Sequence, residues 1–223
     1  MKGGATRIGV LALQGAFAEH IAALRLCGAD AVEIRRREDF SSSLDGVVIP
    51  GGESTVMAKL LVDLSLAEPL AGALDDGMPF FGTCAGLVLL ANEVAEFSAT
   101  SLGRLDISVE RNAYGRQLDS FAAHADFAGM EAFPMVFIRA PGIARVGPGV
   151  LPLASVDGRV VAVRCGTILA TAFHPELTGD RRVHRYFLEM VEDRRSKRTE
   201  ETVVRSVIGQ SAVTAYACST PAS

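Results

Sequence analysis

Cys84 stands between two glycines in Phe80-Phe81-Gly82-Thr83-Cys84-Ala85-Gly86. A short apolar stretch entered through Met78-Pro79 precedes it, and Leu87-Val88-Leu89-Leu90-Ala91, a good helix former, follows. The order predicts a strand running straight into a helix through a very tight turn, for which Gly82 and Gly86 leave room. Gly-x-Cys-x-Gly is the cysteine form of the nucleophile elbow. Such a turn lifts one side chain clear of the sheet edge and sets it over the first free N–H groups of the helix. Those groups and the helix dipole favour a thiolate. A small buried cysteine at a crowded turn would fit the same residues. A second segment, Ala172-Phe173-His174-Pro175-Glu176-Leu177, tips the balance. Pro175 disfavours helix at His174, so the segment reads as extended. Residues i and i+2 of a strand point to the same side. Glu176 can then orient the imidazole of His174 while the other ring nitrogen faces a nucleophile. This is the logic of a nucleophile, a base, and a carboxylate that holds the base.

With these residues in view, the chain resembles the class I glutamine amidotransferases, and within them the glutaminase subunits of pyridoxal 5′-phosphate synthase. The likeness runs from about Ile8 to about Glu192. It rests on Ile8-Gly9-Val10-Leu11-Ala12-Leu13-Gln14-Gly15, Pro50-Gly51-Gly52-Glu53-Ser54-Thr55 and Gly82-Thr83-Cys84-Ala85-Gly86-Leu87. It continues through Val109-Glu110-Arg111-Asn112-Ala113-Tyr114-Gly115-Arg116-Gln117, Phe137-Ile138-Arg139-Ala140-Pro141 and Phe173-His174-Pro175-Glu176-Leu177. The elbow and His-Pro-Glu belong to the whole superfamily, whereas the Glu-Arg-Asn and Ile-Arg-Ala-Pro stretches point to the narrower branch. The resemblance implies a Cys84-His174-Glu176 triad that hydrolyses L-glutamine to L-glutamate and ammonia. It implies an oxyanion hole from a backbone N–H of Gly51 or Gly52 and that of Ala85. It places the substrate against Gly52, Glu53, Ser54, Arg111, Ile138 and Arg139. A guanidinium such as that of Arg111 suits the α-carboxylate of glutamine. No metal or organic cofactor is implied. The implied partner is a synthase (lyase) subunit that takes the ammonia.

The elements that must position these groups follow from periodicity. Ile8–Leu13 is a compact apolar run, read as a buried parallel strand. Phe17, Ile21 and Leu24 share a helical face that Gly28 ends. Ala31–Ile34 and Gly46–Ile49 are further strands, with Arg35-Arg36-Arg37 a solvated loop between them. Pro50-Gly51-Gly52 reads as a plain strand-to-helix turn or as a close approach of backbone to ligand. The Gly51–Gly52 peptide is also free enough to present either its carbonyl or its N–H to a substrate oxygen, a place where a partner could act. Ser54 is the expected N-cap of a helix through Leu64. This loop is too short, and lacks the lysine, for a phosphate-binding P-loop.

Ser65–Gly77 reads as a second helical piece, and the helix after the elbow is expected to reach about Glu96. Leu105, Ile107 and Val109 alternate with polar residues as in a half-exposed strand. Phe121–Phe133 has no clear assignment. Val150–Ala154, Arg159–Val163 and Thr167–Phe173 are short strands turned at Asp157-Gly158 and Cys165-Gly166. Asp180–Arg194 is the closing helix. His20 is expected at the surface or an interface, and His184 in solvent. From Ser196 the apolar period is lost, so residues 1–195 read as the glutaminase domain and 196–223 as a loosely ordered tail.

The alternation gives an α/β fold: a three-layer, doubly wound, mostly parallel sheet with helices on both faces. The 223 residues suit one such domain, and 49% hydrophobic residues rule out a disordered chain. A formal charge of −4 gives no electrostatic case for nucleic acid or an anionic membrane surface. No apolar run reaches membrane-spanning length, and the N-terminal residues are too short for a signal peptide. Cys27, Cys84, Cys165 and Cys218 form neither a metal signature nor a disulfide framework, which suits a reducing cytoplasm. Rival readings are the glutaminase subunit of another amidotransferase such as imidazole glycerol phosphate synthase, a non-glutaminase cysteine-elbow protein, and a regulatory module without turnover.

Overall fold

The computed structural model describes residues 4–96, 99, 101–111, 113 and 120–216, with 202–216 as backbone alone. Asn112, Tyr114-Gly115-Arg116-Gln117 and Cys218 lie outside the described residues.

The core is a seven-stranded sheet. It is built on β1 (Arg7–Leu11), β2 (Asp30–Ile34), β3 (Gly46–Ile49), β4 (Phe80–Thr83) and β12 (Ile168–Thr171), which are mutually parallel in the order β2-β1-β3-β4-β12. The antiparallel strands β11 (Arg159–Cys165) and β10 (Leu151–Val156) extend it beyond β12. β3, β4 and β12 are buried at every residue, as parallel strands covered on both faces must be. Successive residues of β4 show the two faces. Phe81 packs against Phe187 and His184, whereas a Cβ on Gly82 would meet Leu90. Thus α1 (Phe17–Leu26) and α5 (Arg182–Tyr216) cover one face, and α2 (Ser54–Asp63) and α4 (Ala85–Leu90) the other. A further helix, α3 (Ala67–Asp75), leads into β4. The chain leaves β1 toward β2 and returns to β3 on the other side, so β1 and β3 form the switch point where such sheets open a crevice.

Outside the main sheet, β5 (Ala91–Val94), β6 (Leu105–Glu110) and β9 (Gly142–Val146) form a small second sheet. β7 (Ser120–Phe127) and β8 (Met130–Ile138) form a hairpin.

Several expectations are corrected. The helix after the elbow ends at Leu90, not near Glu96, because Ala91–Val94 pairs with β6 and the Leu89 and Leu90 carbonyls accept from Leu102 and Arg104. The N-cap of α2 is Glu53 rather than Ser54; the longer carboxylate reaches back to the Val56 N–H at 2.7 Å. The unassigned stretch 121–133 is hairpin, its strands half-exposed and hence weakly periodic to the eye. The closing helix does not stop at Arg194. It runs unbroken to Tyr216, although the sequence from Ser196 has no apolar period. Among the described residues no helix is long and apolar enough to cross a membrane.

Candidate active site

Four strand ends meet at one crevice. The loops after β1, β3 and β4 and the segment after β12 line a cavity of about 320 Å³ with Gln14, Gly51, Gly52, Cys84 and His174. That size suits a small ligand. A larger cavity of about 510 Å³ lies at the opposite strand ends, by Asp45 and Pro79, and holds no cysteine or histidine.

Cys84 is the residue between β4 and α4, at φ 48° and ψ −98°. A non-glycine residue there is strained, which is the mark of a nucleophile elbow. The bend is held by the Cys84 N–H on the Thr171 carbonyl at 2.8 Å. Its tightness explains its flanks. A Cβ on Gly86 would sit 2.1 Å from the Ile49 carbonyl oxygen, and one on Gly82 would sit 2.7 Å from the Gly86 carbonyl. The thiol lies 8% exposed, 3.9 Å from the Ile138 carbonyl oxygen.

His174 follows β12, its N–H bonded to the Val136 carbonyl of β8 at 2.8 Å. Its Nδ1 is 2.7 Å from Glu176 Oε1, inside the buried interior. The route differs from the expected extended strand: Pro175–Leu177 is a single 3-10 turn with proline at its start. Proline's fixed φ begins that turn, which bends Glu176 back beneath the ring. Burial alone would lower the His174 pKa, but hydrogen bonding with Cys84 and Glu176 pushes it up to about 10. Burial likewise works to raise the Glu176 pKa, yet His20 and His174 hold it below the ordinary carboxylate value. The cluster is therefore built for an ionised carboxylate beside an imidazolium, with the Cys84 thiol next to that ring.

The residues that the resemblance assigns to substrate gather around the same cavity. Gly52, Glu53, Ser54, Arg111, Ile138 and Arg139 all line it, as do Gly51 and Ala85. Ala85 opens α4, where the first N–H groups have no intrahelical acceptor. The Gly51 carbonyl accepts from Ala16 N–H at 3.1 Å, so the β1–α1 loop sets that peptide's orientation. A Cβ on Gly51 would lie 2.2 Å from the His174 ring, so only glycine allows this approach. Arg111 pairs with Glu53 at 3.2 Å, which tethers the guanidinium at the cavity rim.

Reading by residue type missed three groups. Gln14 Oε1 accepts from the Glu53 N–H at 2.7 Å and so ties the first loop to the second. His20, expected at the surface or an interface, and His184, expected in solvent, are fully buried under Glu176. His20 follows Glu19 in a helix of weak amphipathicity, and nothing in its spacing marks it as internal.

The profile of the SNO glutamine amidotransferase family matches residues 10–193. Pyridoxal 5′-phosphate synthase subunit PdxT of Mycobacterium avium is 54% identical over 193 residues, 84% of this chain and 97% of that protein. The protein of the same name from Mycobacterium tuberculosis strain H37Rv is 51% identical over 191 residues, 83% of this chain and 96% of that protein. Among solved structures, one described as a glutamine amidotransferase superposes with a TM-score of 0.80 at 44% identity, covering 83% of this chain and 98% of its own. The PurLQS structure from Thermotoga maritima, 16% identical over 83% of this chain and 98% of its own, shares the fold at a TM-score of 0.64.

Proposed function

Because the chain belongs to the SNO glutamine amidotransferase family, we propose that it is the glutaminase subunit of a pyridoxal 5′-phosphate synthase, with Cys84, His174 and Glu176 as its catalytic triad. The observation that carries the triad is the buried Glu176–His174 contact at 2.7 Å, with the elbow thiol of Cys84 also within hydrogen-bonding reach of the His174 ring. Glutamine enters the cavity with its α-carboxylate toward Arg111. The Cys84 thiolate attacks the side-chain amide carbon. Negative charge on the amide oxygen is met by the Ala85 N–H and one N–H of the Gly51-Gly52 pair, a donor set worth several kcal/mol to such a transition state. The His174 imidazolium protonates the leaving nitrogen, and ammonia departs from a glutamyl thioester. Water, deprotonated by His174, then attacks the thioester; glutamate leaves and the thiolate returns.

The ammonia passes to a synthase subunit, in a cytoplasmic complex. That partner acts through the Gln14–Ala16 loop, which holds the Gly51 carbonyl. Only a peptide turned with N–H toward the oxyanion is productive, and one donor is worth roughly 3 kcal/mol, about a hundredfold in rate. Steady-state glutamine hydrolysis by the pure chain, with and without the cognate synthase subunit, tests both ideas. The expected result is a slow chain alone and an increase of about a hundredfold in the complex, abolished by Cys84→Ala. Turnover that survives Cys84→Ala would remove the nucleophile assignment. An unchanged rate with confirmed binding would remove the switch and leave the triad.

A further inference from the structure

Under the triad lies a second layer of buried polar groups that the reaction as written does not use. His20 of α1 and His184 of α5 are both inaccessible to solvent. His20 Nδ1 is 3.1 Å from His184 Nε2. On its other side, His20 Nε2 is 3.2 Å from Thr83 Oγ1 and 3.3 Å from Glu176 Oε2. The two oxygens of Glu176 thus face two imidazoles: His174 at one, His20 at the other. Thr83 is the residue just before the nucleophile.

We propose that His20 is a positioning residue for the triad: hydrogen-bonded to Thr83 and to His184, its ring sets the Nε2–H edge 3.3 Å from the second carboxylate oxygen of Glu176 and keeps that carboxylate aligned on His174. The proposal rests on the triad reading given above.

The proton positions follow from which atoms can donate. An ionised carboxylate offers only acceptors, so the nitrogen facing it must carry hydrogen. His20 Nε2 is therefore the donor: its hydrogen bond goes to Thr83 Oγ1, and its N–H edge lies against Glu176 Oε2, which has no hydrogen bond of its own among the described residues. His20 Nδ1 then carries a lone pair and accepts from His184 Nε2–H. That leaves His184 Nδ1 as a bare lone pair, and it too is a buried side-chain atom without a partner among the described residues. The opposite arrangement would set a His20 lone pair against the carboxylate and strand a buried N–H on His184. An orphaned donor is the rarer and costlier of the two defects.

Burial favours the neutral form of both imidazoles. Burial drives His20 below its usual value, opposed by the charges of Glu176 and Glu19 and aided by that of His174. Burial drives His184 down to about 3, with His20 and Arg181 adding to the effect and Glu176 opposing it. A neutral donor orders the carboxylate without competing with His174 for its negative charge. This is how a partner on the far side of a carboxylate tunes the group in front of it.

The test combines a structural readout with two functional ones. In the unmutated chain, ¹⁵N NMR of the imidazoles should show His20 as the neutral Nε2–H tautomer; the Nδ1–H tautomer or an imidazolium overturns the proposal. Glutamine turnover is measured in the complex with the synthase subunit. Cys84 alkylation by iodoacetamide is followed across pH by mass spectrometry, with Cys27 and Cys165 as internal references. His20→Leu should lower kcat about tenfold with KM nearly unchanged, and move the acidic limb of the alkylation profile to higher pH. His20→Gln, whose amide can place a donor near the former Nε2, should restore most of both. In a Glu176→Gln background, His20→Leu should add nothing. Wild-type behaviour of His20→Leu, an equal loss in both backgrounds, or equal losses in His20→Leu and His20→Gln that follow melting temperature would each overturn the role of His20 while leaving the triad. Full activity of Glu176→Gln alone would overturn the triad reading, and this inference with it.

Discussion

At the residue scale, the site is defined by one strained backbone and one raised pKa. Cys84 holds a positive φ that costs a non-glycine residue on the order of 1–3 kcal/mol, offset by the packing around the elbow. On the proposed triad, the neighbouring His174 imidazolium makes it the reactive thiol. A glutamine-mimicking electrophile should therefore label Cys84 ahead of Cys27 and Cys165, read by peptide mass spectrometry; equal labelling in the folded chain would exclude a privileged nucleophile. Glu176→Gln keeps a hydrogen bond to His174 but loses the charge that holds its imidazolium. Turnover should fall about tenfold or more, yet less than in His174→Ala.

The same pair sets a pH dependence. The His174 pKa stands at about 10 in the fold against 6.5 for the free side chain. Between those values the folded chain keeps a proton that the unfolded chain has lost. The contribution is whole below about 6.5 and disappears as pH rises through about 10. The stability gap between wild type and His174→Asn, from denaturant titrations, should accordingly narrow from neutral toward alkaline pH. A constant gap would mean that the imidazole is held neutral.

At the element scale, the shape of the elbow depends on how closely α4 approaches β3. Adding one methyl at Gly86 would set carbon 2.1 Å from the Ile49 carbonyl oxygen, a backbone atom that cannot turn aside. Gly86→Ala should cost about 1–3 kcal/mol of stability. It should also displace the end of β3 and, with it, Gly51 and Gly52 beside the cavity. Thermal melts paired with glutaminase assays check this; an unchanged melting temperature would show that the elbow has slack. The β7–β8 hairpin has a comparable duty, since Val136 holds the His174 backbone and Ile138 borders the thiol.

At the scale of the whole molecule, α5 both covers the sheet and runs on past it. Its basic residues Arg195 and Arg198 close on Asp45 at 3.3 and 3.9 Å, at the end of the sheet away from the cavity. Residues 199–223 follow those contacts in the chain. Deleting them should leave glutamine hydrolysis in the complex within about twofold, a change below 1 kcal/mol of barrier. A large loss of activity or of melting temperature would show that the extended helix packs on the body or on the partner.

Elements with a local signal were legible in the chain alone. Gly46–Ile49 reads as a strand because its apolar run is continuous, and it is one residue for residue. The Gly-x-Cys-x-Gly spacing specified the elbow because a tight turn between strand and helix tolerates few other residues. His174-Pro175-Glu176 was legible as a pair, although its geometry was not: a 3-10 turn rather than a strand brings the carboxylate to the ring. Contacts between distant segments came only with folding. Nothing near His20 or His184 in the chain tells that α1 and α5 meet over Phe81 and enclose both rings above Glu176. The helix after Cys84 stops at Leu90 because a strand from elsewhere pairs with the next residues. Helix propensity and periodicity act over a few residues, whereas burial and strand pairing are set by which remote surfaces close on one another.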